Sequence, residues 1–249
     1  MSLKSENEAS LAASLKYFLL SALSTGFLLL GVCILYFQTG TTNYDLIDIS
    51  IREFFIKHLN NPYGQPQFFF IEIAKILILI TLLFKLSAAP FYQWAPDLYE
   101  NLDTNITMWK IVIPKLTVLS FLFFFCSFTT TFQAFQFILL LSGSLSLIIG
   151  SLALYNQWFI KRFFAYSGIS HIGFMLLALY SYDSQSFIFY MFIYSITTVN
   201  LFTIFILLSE FLGRDLKIIK DLSGLFKFNP ILSIAFALNL FSLAGVCLL

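Results

Sequence analysis

Apolar runs of about twenty residues recur along this chain, and that is the length needed to cross about 30 Å of hydrocarbon. One reads "LKYFLLSALSTGFLLLGVCILYF", residues 15–37, and others cover 68–89, 107–128, 134–155, 161–181, 187–209 and 230–249. The runs are continuous rather than alternating. Lipid requires each backbone N–H and C=O to be satisfied within the spanning structure, which a helix achieves alone. The pattern therefore predicts an all-α fold, a polytopic transmembrane helical bundle of about seven spans. Charged residues make up 11% of the chain, against about 25% in soluble domains. The formal net charge of +1 sets up no field for nucleic acid, so lipid and other membrane chains are the expected partners.

Residues 1–14, "MSLKSENEASLAAS", are polar and lack the apolar core of a signal peptide. They read as a polar N-terminal segment ahead of a transmembrane domain over 15–249. The connection 38–66 contains "YDLIDISIREFFIKHLNN". Its charges Asp45, Asp48, Arg52, Glu53 and Lys57 are too dense for hydrocarbon. Its apolar residues Leu46, Ile49, Phe54 and Ile56 suit a short helix on the membrane surface, an interfacial segment over 44–60. "NNPYGQP" then reads as a turn. With seven crossings, Lys4, Lys16, Lys161, Arg162, Arg214, Lys217, Lys220 and Lys227 share one side, which the basic-residue bias makes the cytoplasmic or matrix side. Cys33, Cys126 and Cys247 lie in apolar runs without metal-ligand spacing and read as small apolar side chains. The 32 phenylalanines fit an A/T-rich genome, as in many mitochondria.

Charges inside the runs carry the functional information. "MWKIVIPKLTVLSFLFFF", Met108 to Phe125, places Pro114 and Lys115 near mid-span. A lysine there costs about 2.5–3.5 kcal/mol on insertion scales. Proline removes a backbone donor and frees the carbonyl of Lys110 one turn earlier. A helix break beside an ionisable group is a recurring transporter design, so Pro114 is expected to break the helix and Lys115 to relay protons. The alternative is a lysine that snorkels or pairs structurally. Lys85 precedes "LSAAPFYQWAPDLYE" and reads equally as a membrane lysine or as an interfacial anchor beside Tyr92 and Trp94. In "IKRFFAYSGISHIGF", Ile160 to Phe174, Lys161 and Arg162 suit positive-inside anchors. His171, on a run with Ser167 and Ser170, can carry protons near neutral pH or act as a hydrogen-bonded packing residue. Glu72 and Lys75 stand at i, i+3 and can simply pair. No carboxylate lies deep in any run, so either Lys115 is neutral much of the time or its counter-charge lies on another chain.

These motifs resemble a known family. "FKLSAAPFYQWAPDLYE", "IPKLTVLSF", "IKRFFAYSGISHIGF", "EASLAASLKYFLLSALSTGFLLLG" and "IKDLSGLFKFNPILSIAFALNLFSLAG" are similar, in order, to signatures of the antiporter-like subunit 2 family of respiratory complex I, N-type in bacteria. The resemblance implies proton translocation coupled to quinone reduction elsewhere in the complex, in the mitochondrial inner membrane or, less well matched, a bacterial plasma membrane. It implies that Lys115 matches the central proton-carrying lysine, Lys161 a connecting lysine, His171 the histidine beside the polar axis, and Lys16 another membrane lysine. It implies no flavin, iron–sulfur cluster or nucleotide on this chain; the sequence has neither a cysteine cluster nor a Gly-rich phosphate loop. Family members have about twice as many helices. The helices before "EASLAASLKYFLL", with the glutamate that partners the lysine, and those after "FSLAGVCLL" are expected on other membrane subunits of the complex. Tyr92 stands where the family often has histidine. A structural subunit of the same complex without pumping, and a subunit of a cation/proton antiporter, are the competing readings.

Overall fold

A computed structural model describes residues 8–60, 66–127, 133–213 and 216–244. Helices dominate, and no strand occurs among the described residues beyond one isolated bridge between Phe159 and Ile218. In chain order they are α1 (Glu8–Thr39), α2 (Tyr44–Asn60), α3 (Pro66–Leu86), α4 (Trp94–Asn101), α5 (Thr104–Ser127), α6 (Gln133–Tyr155), α7 (Ile160–Tyr180), α8 (Ser184–Leu212), α9 (Leu225–Phe228) and α10 (Pro230–Leu243). Every apolar run of the sequence coincides with one of them. Five, α1 and α5 to α8, are long and apolar enough to cross a membrane by length and composition. Helix α3 has the length but carries Glu72, Lys75 and Lys85. Residues 1–7, 61–65, 128–132, 214–215 and 245–249 lie outside the described residues. With them go Lys4, Arg214, Cys247, most of the "NNPYGQP" turn and the end of the run 230–249.

One boundary differs from the sequence expectation for a physical reason. Helix α1 begins at Glu8, inside the segment read as polar, because Ala, Leu and Glu favour a helix whether or not lipid surrounds it. Helix α2 covers Tyr44–Asn60, the segment read as interfacial. Ile51 is buried, and Ile47 and Phe54 pack against the core; these three follow the i, i+4, i+7 spacing of one helix face. Leu46, Ile49 and Ile56 are exposed. Asp48 and Arg52 pair along the helix at 2.9 Å.

The tightest packing joins α6 to α7 and α1 to α3. A Cβ added at Gly150 would stand 2.8 Å from the backbone nitrogen of Ser170, and one at Gly31 would stand 3.0 Å from the carbonyl of Ala74. Small residues let helix backbones approach where hydrocarbon supplies no hydrophobic drive. Thr81 strengthens the α1–α3 contact by donating its hydroxyl to the carbonyl of Ser24 at 3.1 Å.

The true discontinuity lies between α3 and α4. Ser87 takes φ 59° and the Ala89–Pro90 bond is cis. The chain closes this break on itself. The N–H of Ala88 donates to Leu83 and that of Ser87 to Phe84, and the indole N–H of Trp94 reaches back to the Phe84 carbonyl at 3.2 Å. By contrast α5 runs through Pro114 as one helix, so the expected break at Pro114 does not occur. Proline forfeits one hydrogen bond, and the remaining turns of a long apolar helix hold the axis together. Gly150→Leu is expected to lower the yield of folded chain in membranes, since overpacking of this kind costs about 1–3 kcal/mol. Gly26→Leu, at a position where a Cβ meets nothing within 4 Å, is expected to leave the yield unchanged; quantitative immunoblotting at matched expression compares the two.

Candidate functional site

Lys115 projects from the middle of α5 into the bundle and is 3% exposed. Among the described residues its Nζ has no hydrogen-bond partner. It lies against α7 at Gly168. A Cβ on Gly168 would stand 2.9 Å from Lys115 Nζ and 2.9 Å from the hydroxyl of Tyr194 on α8. Lys115 is also within electrostatic reach of His171, one turn further along α7. His171 places Nδ1 2.7 Å from the hydroxyl of Tyr190, and its ring packs 5.2 Å from that of Tyr194. Lysine, histidine and two tyrosines from three helices thus form one polar group inside an apolar bundle. Tyr194 is anchored locally, since Thr198 and Thr197 both donate to its carbonyl, at 2.7 and 3.1 Å.

Lys85 ends α3 at the discontinuity and is half-buried. It lines a cavity of about 120 Å³ with Pro114, Lys110, Tyr17, Trp94 and Tyr99. Pro114 therefore contributes to the wall of a cavity next to Lys115, although it does not break the helix. Tyr99 is within electrostatic reach of both Tyr17 and Tyr194, so tyrosines lie between the Lys85 cavity and the Lys115 group. Lys110 sits over the ring of Tyr17 at 4.9 Å.

Lys16 and Lys161 lie elsewhere, at one end of the bundle. Lys16 is exposed and pairs with Asp97 on α4 at 2.8 Å. Arg162 joins the same carboxylate at 3.5 Å and also pairs with Glu100. The Lys161 amine donates to the carbonyl of Leu102 and lines an outer cavity of about 520 Å³ with Glu100, Asp103 and Lys217. Lys16 of α1, α4, the start of α7 and Lys217 thus gather at one end.

Two readings of the sequence change here. Ser167 and Ser170, the serines on the run with His171, donate their hydroxyls to the carbonyls of Phe164 and Ser167 on their own helix, the usual recourse of serine within an apolar helix. Lys75, read as half of a simple pair with Glu72, is 1% exposed and within reach of Asp48 on α2 as well as Glu72. Its signal was a lysine inside an apolar run. Tyr190 and Tyr194 carried no signal at all among so many aromatic residues. Among the described residues no group of three or more His, Cys, Asp or Glu side chains is placed to hold a metal ion.

The whole chain, residues 1–249, matches the family model described as "NADH:quinone oxidoreductase/Mrp antiporter, TM". The chain belongs to this family of membrane subunits. It is 39% identical to NADH-ubiquinone oxidoreductase chain 2 of Rhizopus oryzae over 97% of its own length and 46% of that protein. It is 36% identical to NADH-quinone oxidoreductase subunit N of Pelagibacter ubique, over 94% and 48%. Among solved structures, a chain of respiratory complex I from Thermus thermophilus superposes with a TM-score of 0.75 and 30% identity, covering 97% of this chain and 50% of that one. A chain of the Mrp complex from Dietzia sp. shares the fold, with a TM-score of 0.79 at 22% identity, covering 96% and 42%. The chain spans about half the length of the curated relatives it matches. It is an all-α, multi-pass membrane protein with the antiporter-like fold of complex I membrane subunits.

The ion-pair hub gives a test of the geometry. Arg162→Met removes two pairs, those with Asp97 and Glu100, and leaves Asp97 on Lys16, whereas Lys16→Met removes one pair and leaves Asp97 on Arg162. Exposed pairs are worth about 0–1 kcal/mol each, so Lys16→Met is expected to change folded yield little and Arg162→Met, which loses two pairs, to lower it more, measured side by side in membranes.

Proposed function

We propose that this chain is a proton-translocating membrane subunit of an NADH:ubiquinone oxidoreductase, working without redox chemistry of its own in the mitochondrial inner membrane. The observation that carries the reading is the buried amine of Lys115 set among Tyr194, His171 and Tyr190. A relay needs a group able to hold and release a proton, with polar neighbours to receive it, and a water-poor surround that keeps protons from leaking. Lys85 and its cavity supply a second titratable group on the discontinuous helix. The names of the curated relatives and the likeness to complex I support the assignment to that complex. The richness in phenylalanine and the identity with a chain 2 protein favour the mitochondrial setting.

The counter-charge of Lys115 is proposed to be a membrane carboxylate of the assembled complex that is not among the described residues. A purely structural role predicts an apolar surround at Lys115; the nearby hydroxyl of Tyr194 and the imidazole of His171 support the relay instead. The Mrp likeness keeps the cation/proton antiporter as a second reading; co-purification with flavin and iron–sulfur subunits separates the two.

In membranes with matched amounts of assembled complex, Lys115→Met is expected to lower protons translocated per NADH oxidised strongly while assembly persists. Lys115→Arg is expected to fail likewise, because arginine stays protonated. Pro114→Ala is expected to be milder, since it restores one backbone bond and leaves the titratable group in place. Normal pumping by Lys115→Arg would contradict the relay and leave Lys115 a fixed positive charge.

A further inference from the structure

We propose that Gly168 and Tyr194 act together as positioning residues for the Lys115 amine: Gly168 by lacking a side chain, Tyr194 by offering a hydroxyl, they hold the amine on the His171 side of the bundle. The inference rests on the relay reading of Lys115 and adds two residues, Gly168 and Tyr194, to which the resemblance assigns no role.

The geometry is specific. Both the amine of Lys115 and the hydroxyl of Tyr194 come to 2.9 Å from the point where a Cβ on Gly168 would stand. Any side chain at 168 would push both polar atoms away from the α7 backbone. Gly168 is buried mid-helix, where glycine lowers helix stability by roughly 0.5–1 kcal/mol relative to alanine, so it is not there for the helix. The close approach that it permits is the compensating gain. Lys115 Nζ meanwhile has no hydrogen-bond partner among the described residues, and a buried charged or polar group without one is costly. The hydroxyl of Tyr194 borders the same small space at Gly168, and it is the partner the proposal gives to the amine. Tyr194 cannot retreat easily. It is 5% exposed, its backbone carbonyl takes both threonine hydroxyls of the next turn, and its ring is packed on His171. Tyr190 is taken by His171, which leaves Tyr194 as the hydroxyl on α8 directed to the lysine. The pair thereby decides which way the amine leans: towards His171 and α8, rather than towards the cavity that holds Lys85.

Three variants test this in the assembled complex. Tyr194→Phe keeps the ring and removes the hydroxyl. Gly168→Ala adds one methyl group whose contacts are the movable ends of two side chains. The third variant combines them. Each single change is expected to lower protons translocated per NADH oxidised several-fold with assembly preserved. The double variant is expected to be no worse than the more severe single, because both changes remove one shared contact. Independent effects that multiply in the double variant, unchanged pumping in either single variant, or loss of assembled complex in both would overturn the proposal. Lys115→Met measured alongside separates the two levels. If it pumps normally, the relay reading itself fails. If it fails to pump while Tyr194→Phe and Gly168→Ala pump normally, the relay stands and the positioning pair does not.

Discussion

An amine carried to the middle of a membrane-spanning helix must find polar company within the reach of its own side chain or be neutralised. Much of this bundle is arranged to provide that company. Helix α7 approaches α5 through Gly168, α8 presents Tyr194 and Tyr190 on its inward face, and His171 closes the group. The close packing of α6 on α7 through Gly150 and Ser170 holds α7 from behind. Removing the lysine would leave these polar side chains without a purpose in an otherwise apolar core.

The discontinuity between α3 and α4 solves a different problem. A chain that ends a helix inside a membrane bundle exposes backbone carbonyls. Here the chain folds back so that Trp94 and Ser87 satisfy the Phe84 carbonyl. Lys85 can therefore end its helix beside a cavity without leaving the backbone orphaned. Asp97 and Glu100 on α4 then tie that short helix to α1 and α7 through Lys16 and Arg162. The half-helix is fixed at its outer end and open to the cavity at its inner end, a suitable frame for moving charge without moving the fold.

The helices were legible because hydrocarbon thickness imposes a length, and lysines inside apolar runs were legible because their cost there needs a reason. The position of the break was not. Pro114 announces a break in sequence and causes none, since one lost hydrogen bond cannot interrupt a long helix, whereas "LSAAPF" hides a real one at the positive-φ serine Ser87. Partners were least legible of all. Tyr194 is one aromatic residue among many, and Ser167 and Ser170 were better candidates by type. Only the direction of each side chain separates them. Lys16 shows the converse: a lysine that matches a membrane motif lies exposed, tied to Asp97 at the end of the bundle.

The central claim is that Lys115 changes its charge during turnover. Solid-state nitrogen NMR of complex carrying ¹⁵N-labelled lysine side chains reads this directly, with the Lys115→Met complex assigning the signal. The account predicts a Lys115 resonance that moves between ammonium and amine positions when the resting membranes are energised with NADH. A resonance fixed at the ammonium position in both states would contradict it.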